Sequence, residues 1–422
     1  MSFRRHVAAL ALVICAAGAA SSQDDSLAKQ LSLAPEQYAS EEAANKAADE
    51  LEKEFPADAR PEAVRMMLDI LRHADIGPRS GWFGPAQSRY DWKWLAERHE
   101  LPVEPAASDA KDAKPSQEEP ELAIAHYRGG QERARVLDRD GDGSITRADL
   151  DWSDRSPWMQ QAQFVGRLFR RINANGDGKL TRDQWLGFFE RASQGGEHLT
   201  IGELRDALLT FGGGGTGDTP SRETLVRGLI AGEIGSIQEG PKLGDAAPSF
   251  TLHSPDGSQT YELVKMIGPK PVVLIFGNFT CGPFRSYYPE VETLYHEYKD
   301  AATFLMVYVR EAHPTDGWAM ESNAKANVAV KQPTTLAERA AVCTLFAERL
   351  KPSVPLAVDD VNDQVGNAYS GMPARLYLID SRGKVAYKSG RGPFGFKVGE
   401  LEQALVMALL EAAEPAAGEK AP

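Results

Sequence analysis

Cysteine is scarce: three in 422 residues, at Cys15, Cys281 and Cys343. Such a chain is no disulfide scaffold, so its fold must stand on packing. Positive charge is short too. A formal net charge of -13 argues against nucleic acid and anionic membranes as partners, and is compatible with binding cations. Long apolar runs are missing apart from Val7 to Ala17, which is too short to span a bilayer comfortably. That run follows Arg4 and Arg5 and precedes Ala17-Gly18-Ala19, small residues suited to a cleavage site. The pattern predicts an export signal over 1–20, with an uncleaved membrane anchor as the alternative. An exported chain, periplasmic or extracellular, meets oxidising conditions that permit a disulfide between Cys281 and Cys343.

What is present divides the chain. "PEAVRMMLDILRH" places Val64, Met67, Leu68 and Leu71 on one helical face, with Pro61 suited to its first turn. Trp82, Phe83, Tyr90, Trp92 and Trp94 follow, enough for a small aromatic core. The composition of 104–120 and the run "GGGGTGDTP" read as linkers. A multi-domain chain is predicted. Its parts are an α-helical, aromatic-rich N-terminal region (30–103), a linker (104–120), a helical module (121–210), a Gly-rich linker with a short helix (211–239), an α/β domain (240–412) and a disordered tail (413–422).

The helical module holds two oxygen-rich loops. "DRDGDGSITRAD", Asp138 to Asp149, fits the twelve-residue calcium loop of an EF-hand. Asp138, Asp140 and Asp142 take the first ligand positions and Gly143 the sharp turn. Ser144 offers its carbonyl, Thr146 a hydroxyl or bridging water, and Asp149 closes the loop where Glu is usual. "NANGDGKLTRDQ" begins 35 residues later with Asn173, Asn175 and Asp177, followed by Lys179, Thr181 and Gln184 at the remaining ligand positions. It has one carboxylate among its ligand positions against four in the first loop, so weak calcium binding is expected there. An EF-hand pair is predicted, with Ile145 and Leu180 meeting in a short strand. Methionine is sparse, which gives little support to a calmodulin-like opening onto targets.

The α/β domain opens with "KPVVLIFGNFTCGPF", a buried strand, a short loop and a helix start. A second apolar run covers Thr303 to Val309. Leu376 to Ile379 and Val385 to Tyr387 read as a hairpin, and a last helix runs from about Val398 to Leu410. This order resembles thioredoxin, with Cys281-Gly282-Pro283 at the helix start, Pro289 eight residues on and Pro373 at the family's cis-proline position.

A thiol at a helix N-terminus faces unpaired amides and the positive end of the dipole, and both favour the thiolate. Phe284 stands where a dithiol motif has its second Cys, so any resolving thiol is Cys343, an external thiol or a partner protein. Cys343 lies in an amphipathic helix, where a core role is the simpler reading. His313 follows the second central strand and could move a proton beside the thiol, with Glu311 orienting it and Asp316 holding the loop.

Residues from about 270 to 410 resemble the iodothyronine deiodinases, over about a third of the chain. Phe276-Gly277-Asn278-Phe279-Thr280-Cys281 matches that family's Phe-Gly-Ser-Cys-Thr followed by selenocysteine. "EAHPTDGW" matches over Glu311, Ala312, His313, Asp316, Gly317 and Trp318. Pro373, Arg375, Leu376 and Tyr377 match its Pro-x-Arg-Leu-Tyr, and "VAYKSGRGPFGF" its following stretch. The resemblance implies reductive removal of iodine from a phenolic ring. Cys281 would attack, His313 and Glu311 would assist, and Thr280, Pro373 and Arg375 would support the site. It also implies a small-molecule or thiol substrate, an external thiol or reducing protein, no organic cofactor, and a homodimer. Sulfur replaces selenium here, Phe279 replaces a nearby Cys, and the family's second His falls near Gln332 or Pro333. Two alternatives stay open: a thiol peroxidase, and a non-catalytic calcium-binding interaction protein.

Overall fold

The computed structural model describes residues 27, 29–74, 76, 85–103, 120–153, 155–173, 175–209, 220–392 and 394–413. The signal at 1–20, Trp82 and Phe83, 104–119 of the first linker, the glycine run at 211–219 and the tail beyond 413 lie outside these residues. In chain order come α1 (Glu41–Glu54), α2 (Glu62–His73), β1 (Gln87–Ser88), α3 (Trp92–Arg98), β2 (Leu122–Ala123), β3 (Ser144–Ile145), α4 (Pro157–Ile172), α5 (Arg182–Ala192), α6 (Ile201–Leu209) and α7 (Arg222–Ile230). Then follow β4 (Thr251–His253), β5 (Thr260–Glu262), β6 (Val272–Gly277), α8 (Gly282–Tyr298), β7 (Thr303–Tyr308), α9 (Glu321–Lys325), α10 (Leu336–Leu350), β8 (Leu356–Val358), α11 (Gln364–Ala368), β9 (Arg375–Ile379), β10 (Val385–Lys388) and α12 (Val398–Ala413).

The sheet has eight strands in the order β1-β10-β9-β6-β7-β8-β4-β5. β6, β7 and β8 run parallel, and β9 lies antiparallel beside β6. Every residue of β6 and β9 is buried, as the uninterrupted apolar runs require of strands covered on both faces. Because β6 and β7 are parallel neighbours, their carboxyl ends deliver the segments 278–284 and 309–318 to the same edge.

Three boundaries differ from the sequence reading. First, 30–103 is not one body. Val64, Met67 and Leu71 of α2 share a core with Leu225, Val226 and Leu229 of α7 and with Ile234. The short helix in the supposed 211–239 linker therefore completes the N-terminal helical layer. Second, the aromatic residues belong to the sheet. β1 pairs with β10, and Tyr90, Trp92 and Trp94 are buried in the sheet's own core.

Third, the two oxygen-rich loops do not pair. Ile145 bonds in register with Leu122, not Leu180, and among the described residues Leu180 lies in no strand. The helical turn entering the first loop is only Gln131–Ala134. Leu122, Tyr127, Leu137 and Ile145 are buried in the sheet's core, whereas Ile172 and Phe188 beside the second loop form a separate cluster. An upstream strand, Leu122–Ala123, has taken the edge that a partner loop would use.

Candidate active site and oxygen-rich loops

Cys281 is the N-cap of α8, the place the sequence assigns it. It is 2% exposed, and this reverses the expectation of a depressed thiol pKa. Burial pushes the thiol up to about 11, and Glu311 adds to the rise; the Phe284 N–H and the Arg285 guanidinium pull the other way without winning. The helix terminus is present, but desolvation outweighs it in this closed arrangement.

The turn before the thiol is built on Asn278, which sequence reasoning passed over. Its Oδ1 accepts from the backbone N–H of Cys281 (3.0 Å) and Ala312 (3.2 Å), and from the Thr280 hydroxyl (3.2 Å). Its Nδ2 donates to Pro373 O at 2.9 Å. One fully buried amide thus ties the thiol turn, the segment after β7 and the Met372–Pro373 cis peptide together. The available signal was a polar residue at the end of an apolar strand.

Glu311 is 1% exposed. Its carboxylate accepts from Thr280 N (2.8 Å), Thr280 Oγ1 (2.7 Å) and Tyr308 Oη. The expectation that it orients His313 is corrected: those bonds grip the Thr280 turn. Burial still raises its pKa, against the hydrogen bonds and Arg339. Gln332, near the position of the family's second His, clamps the Glu311 backbone. Its Oε1 accepts from Glu311 N and its Nε2 donates to Glu311 O, both at 3.0 Å. Asp316 accepts from Gln332 N at 2.9 Å and so holds the loop.

His313 is half-buried. Its backbone N–H donates to Thr280 Oγ1 (3.0 Å), its Nδ1 lies 3.2 Å from Trp318 O, and its ring stands edge-on to Trp318 at 4.6 Å. Arg375 serves the scaffold: its guanidinium donates to the carbonyls of Ser389, Glu239 and Ser370. Cys343 is fully buried on the inner side of α10 with Arg339 and Phe346. Both described cysteines are free thiols, so the permitted disulfide is not formed.

The two loops have opposite chemistry. In the first, carboxylate oxygens of Asp138, Asp140 and Asp149 lie within 4.8 Å of one another. Asp149 reaches inward despite its short side chain, accepting from Arg139 N (2.9 Å), Thr146 N (2.8 Å) and Thr146 Oγ1 (2.7 Å). Asp142 accepts from Ser144 N, and Gly143 takes the turn at φ 95°. This all-oxygen set fits a hard cation such as calcium. In the second, Asn173 Nδ2 donates to Asn175 Oδ1 (3.1 Å), Asp177 Oδ1 (3.0 Å) and Lys179 O (2.7 Å), and Gln184 Nε2 donates to Asn175 Oδ1 (2.8 Å). An amide group satisfies the oxygens a cation would need, while Thr181 and Gln184 are engaged in a capping box. So placed, the second loop offers a cation fewer free oxygens than the first, in line with its single carboxylate.

Residues 225–408 match the family model described as Iodothyronine deiodinase. Thyroxine 5-deiodinase of Gallus gallus is 34% identical over 160 residues, covering 38% of this chain and 60% of that protein. Type I iodothyronine deiodinase of Xenopus laevis is 32% identical over 159 residues, 38% of this chain and 61% of its own length. Type II iodothyronine deiodinase of Homo sapiens is 32% identical over 180 residues, 38% and 66%. The chain thus spans 60 to 66% of these relatives. Among solved structures, a putative Thiol:disulfide interchange protein DsbE from Chlorobium tepidum is 24% identical at a TM-score of 0.29, covering 40% of this chain and 98% of that one. Residues 225–408 are thus similar in sequence to the iodothyronine deiodinases.

Proposed function

We propose that this protein is an exported, deiodinase-like thiol oxidoreductase that removes iodine reductively from an iodinated phenol, using Cys281 as its single nucleophile. The observation that carries the reading is the family match over 225–408, which contains one thiol at a helix N-terminus with Thr280 and Glu311 bonded to each other at its turn. The Cys281 thiolate attacks iodine, an S–I bond forms as C–I breaks, and the ring carbon keeps the electron pair and takes a proton. An external thiol then displaces iodide, giving a mixed disulfide, and a second thiol frees Cys281. Glu311, Thr280 and Asn278 hold the turn that presents the thiol; His313 is the proton carrier of the loop. The closed thiol has to be uncovered for substrate to reach it. A cation, calcium by its oxygen ligands, occupies the first loop alone and braces the sheet's flank. The charged start at Arg4 and Arg5 and the apolar run after it support export.

Iodide release from an iodinated phenol, with dithiothreitol as the reducing thiol, tests the activity. The expected result is release by the wild-type chain and a loss of at least ~100-fold in Cys281→Ala, in line with removal of a covalent nucleophile. Release by Cys281→Ala at the wild-type rate would refute the assignment.

A further inference from the structure

Arg285, in the second turn of α8, is an unused charge beside the reacting centre. It is 3% exposed. Its guanidinium donates to Phe279 O and, at 2.8 Å, to Asn323 Oδ1 on α9, while Asn323 Nδ2 donates to Thr280 O at 2.8 Å. The two carbonyls that precede Cys281 are therefore held by this pair. A Cβ placed on Gly282 would lie 3.8 Å from Arg285 Nη2, so the guanidinium rests against the first helical turn. Its Nε is buried without a hydrogen-bond partner. The second loop covers its outer side. A Cβ on Gly176 would come within 3.6 Å of the same Nη2, and one on Gly178 within 2.5 Å of Ser286 O and 2.7 Å of Pro289. The loop whose own amides replace a cation is thus seated against the helix that carries the thiol.

We propose that Arg285 is a positioning residue for Cys281: it fixes the Phe279–Thr280 turn and holds a buried positive charge that favours the thiolate. A buried cation is costly, and thiolate formation at Cys281 would offset part of that cost. The other groups facing this pair are Glu311, Tyr308 and Arg349, and His313 shares the loop. Glu311 opposes thiolate formation, which makes Arg285 the nearby charge that assists it.

This inference rests on Cys281 being the nucleophile, but its test does not need the substrate. Alkylation of Cys281 by iodoacetamide in the full chain is followed against pH by peptide mass spectrometry, with thermal melts run alongside. Arg285→Gln keeps donors but loses the charge. It is expected to raise the inflection by about one pH unit and slow alkylation about tenfold at neutral pH. Arg285→Lys keeps the charge and is expected to stay close to wild type. Asn323→Ala, which loosens the turn and leaves the charge, is expected to raise the inflection less than Arg285→Gln does, and keeps the test open if the glutamine variant fails to fold. An unchanged inflection in Arg285→Gln, or an equal rise in the lysine and glutamine variants, overturns the proposal. Wild-type iodide release by Cys281→Ala would instead overturn the catalytic reading and leave the alkylation result standing.

Discussion

Asn278 shows what one residue does at this sheet edge. Its side-chain oxygen accepts from Cys281 N, Ala312 N and Thr280 Oγ1, and its amide reaches Pro373 O. Replacing it by alanine strands two backbone N–H groups and a carbonyl away from water. Each buried polar group left unpaired costs roughly 1–3 kcal/mol. Asn278→Ala is therefore expected to lose about 3 kcal/mol or more in a urea unfolding experiment, and a loss below about 1 kcal/mol would contradict its bridging role. The thiol it presents sets a pH dependence of opposite character. A raised thiol pKa means that the folded state favours the neutral sulfur. The stability this carries is complete below the unfolded value of about 8.5 and is lost as pH rises through about 11. At pH 10 the wild type is expected to have lost about 2 kcal/mol more than Cys281→Ser, relative to neutral pH, in matched unfolding curves. Parallel curves would mean that the thiol is not desolvated.

At the scale of elements, the two oxygen-rich loops look alike in spacing and differ in what fills them. The first converges carboxylates, while the second closes on the amide of Asn173. Calcium at about a hundredfold its dissociation constant should stabilise the folded chain by about 2.7 kcal/mol. Asp138→Ala is expected to abolish that thermal shift. Asn173→Ala is expected to keep the calcium shift while lowering the melting temperature itself, because Lys179 O loses its donor and Asn175 Oδ1 and Asp177 Oδ1 each lose one of theirs. Loss of the shift in Asn173→Ala would place the cation in the wrong loop. Much of this was legible in the sequence, since ligand positions, strand runs and the Cys281 turn are written contiguously. The central strands and the hairpin from Leu376 follow from apolar runs bounded by turn residues. Whatever depends on a distant neighbour was not legible. Ile145 shows a strand residue but not that Leu122 takes its edge. Arg285 carries no signal of its own in the sequence, because the Asn323 that closes on it lies 38 residues later. Glu311 reads as a partner for His313, yet its oxygens face the Thr280 turn that β6 brings alongside β7.

For the whole molecule, the region that matches the deiodinase family does not stand by itself. α7 straddles the start of the match at residue 225, and Leu225, Val226, Leu229 and Ile234 are buried against α1 and α2. The link continues into the sheet. Arg391, fully buried, donates to Ser236 O and Gln238 O, and Lys388 Nζ donates to Glu239 O at 2.6 Å. The Glu239 carboxylate in turn accepts from Glu62 N at the start of α2, at 3.0 Å. Trp318, edge-on to His313, packs on the helical cluster, so the helical layer also backs the loop of the candidate site. On the far edge β1 extends the sheet beyond β10, where Arg89 pairs with Asp380 at 3.0 Å and Tyr90 Oη donates to Glu411 at 3.0 Å. A fragment spanning 220–413 keeps the bonds from Arg391 and Lys388 to 236–239 but loses α1, α2, Glu62, β1, Arg89 and Tyr90. Exposing four aliphatic side chains that are now fully or nearly buried costs roughly 1.5–3 kcal/mol each. That sum is of the order of a domain's entire net stability, about 5–15 kcal/mol. The fragment is therefore expected to melt without a sharp transition, to bind the dye ANS, and to alkylate Cys281 at least ~10-fold faster than the full chain at neutral pH, as local opening free energies fall. Cooperative melting of the fragment within a few degrees of the full chain would show instead that the N-terminal layer is an attachment and not part of the fold that holds the thiol.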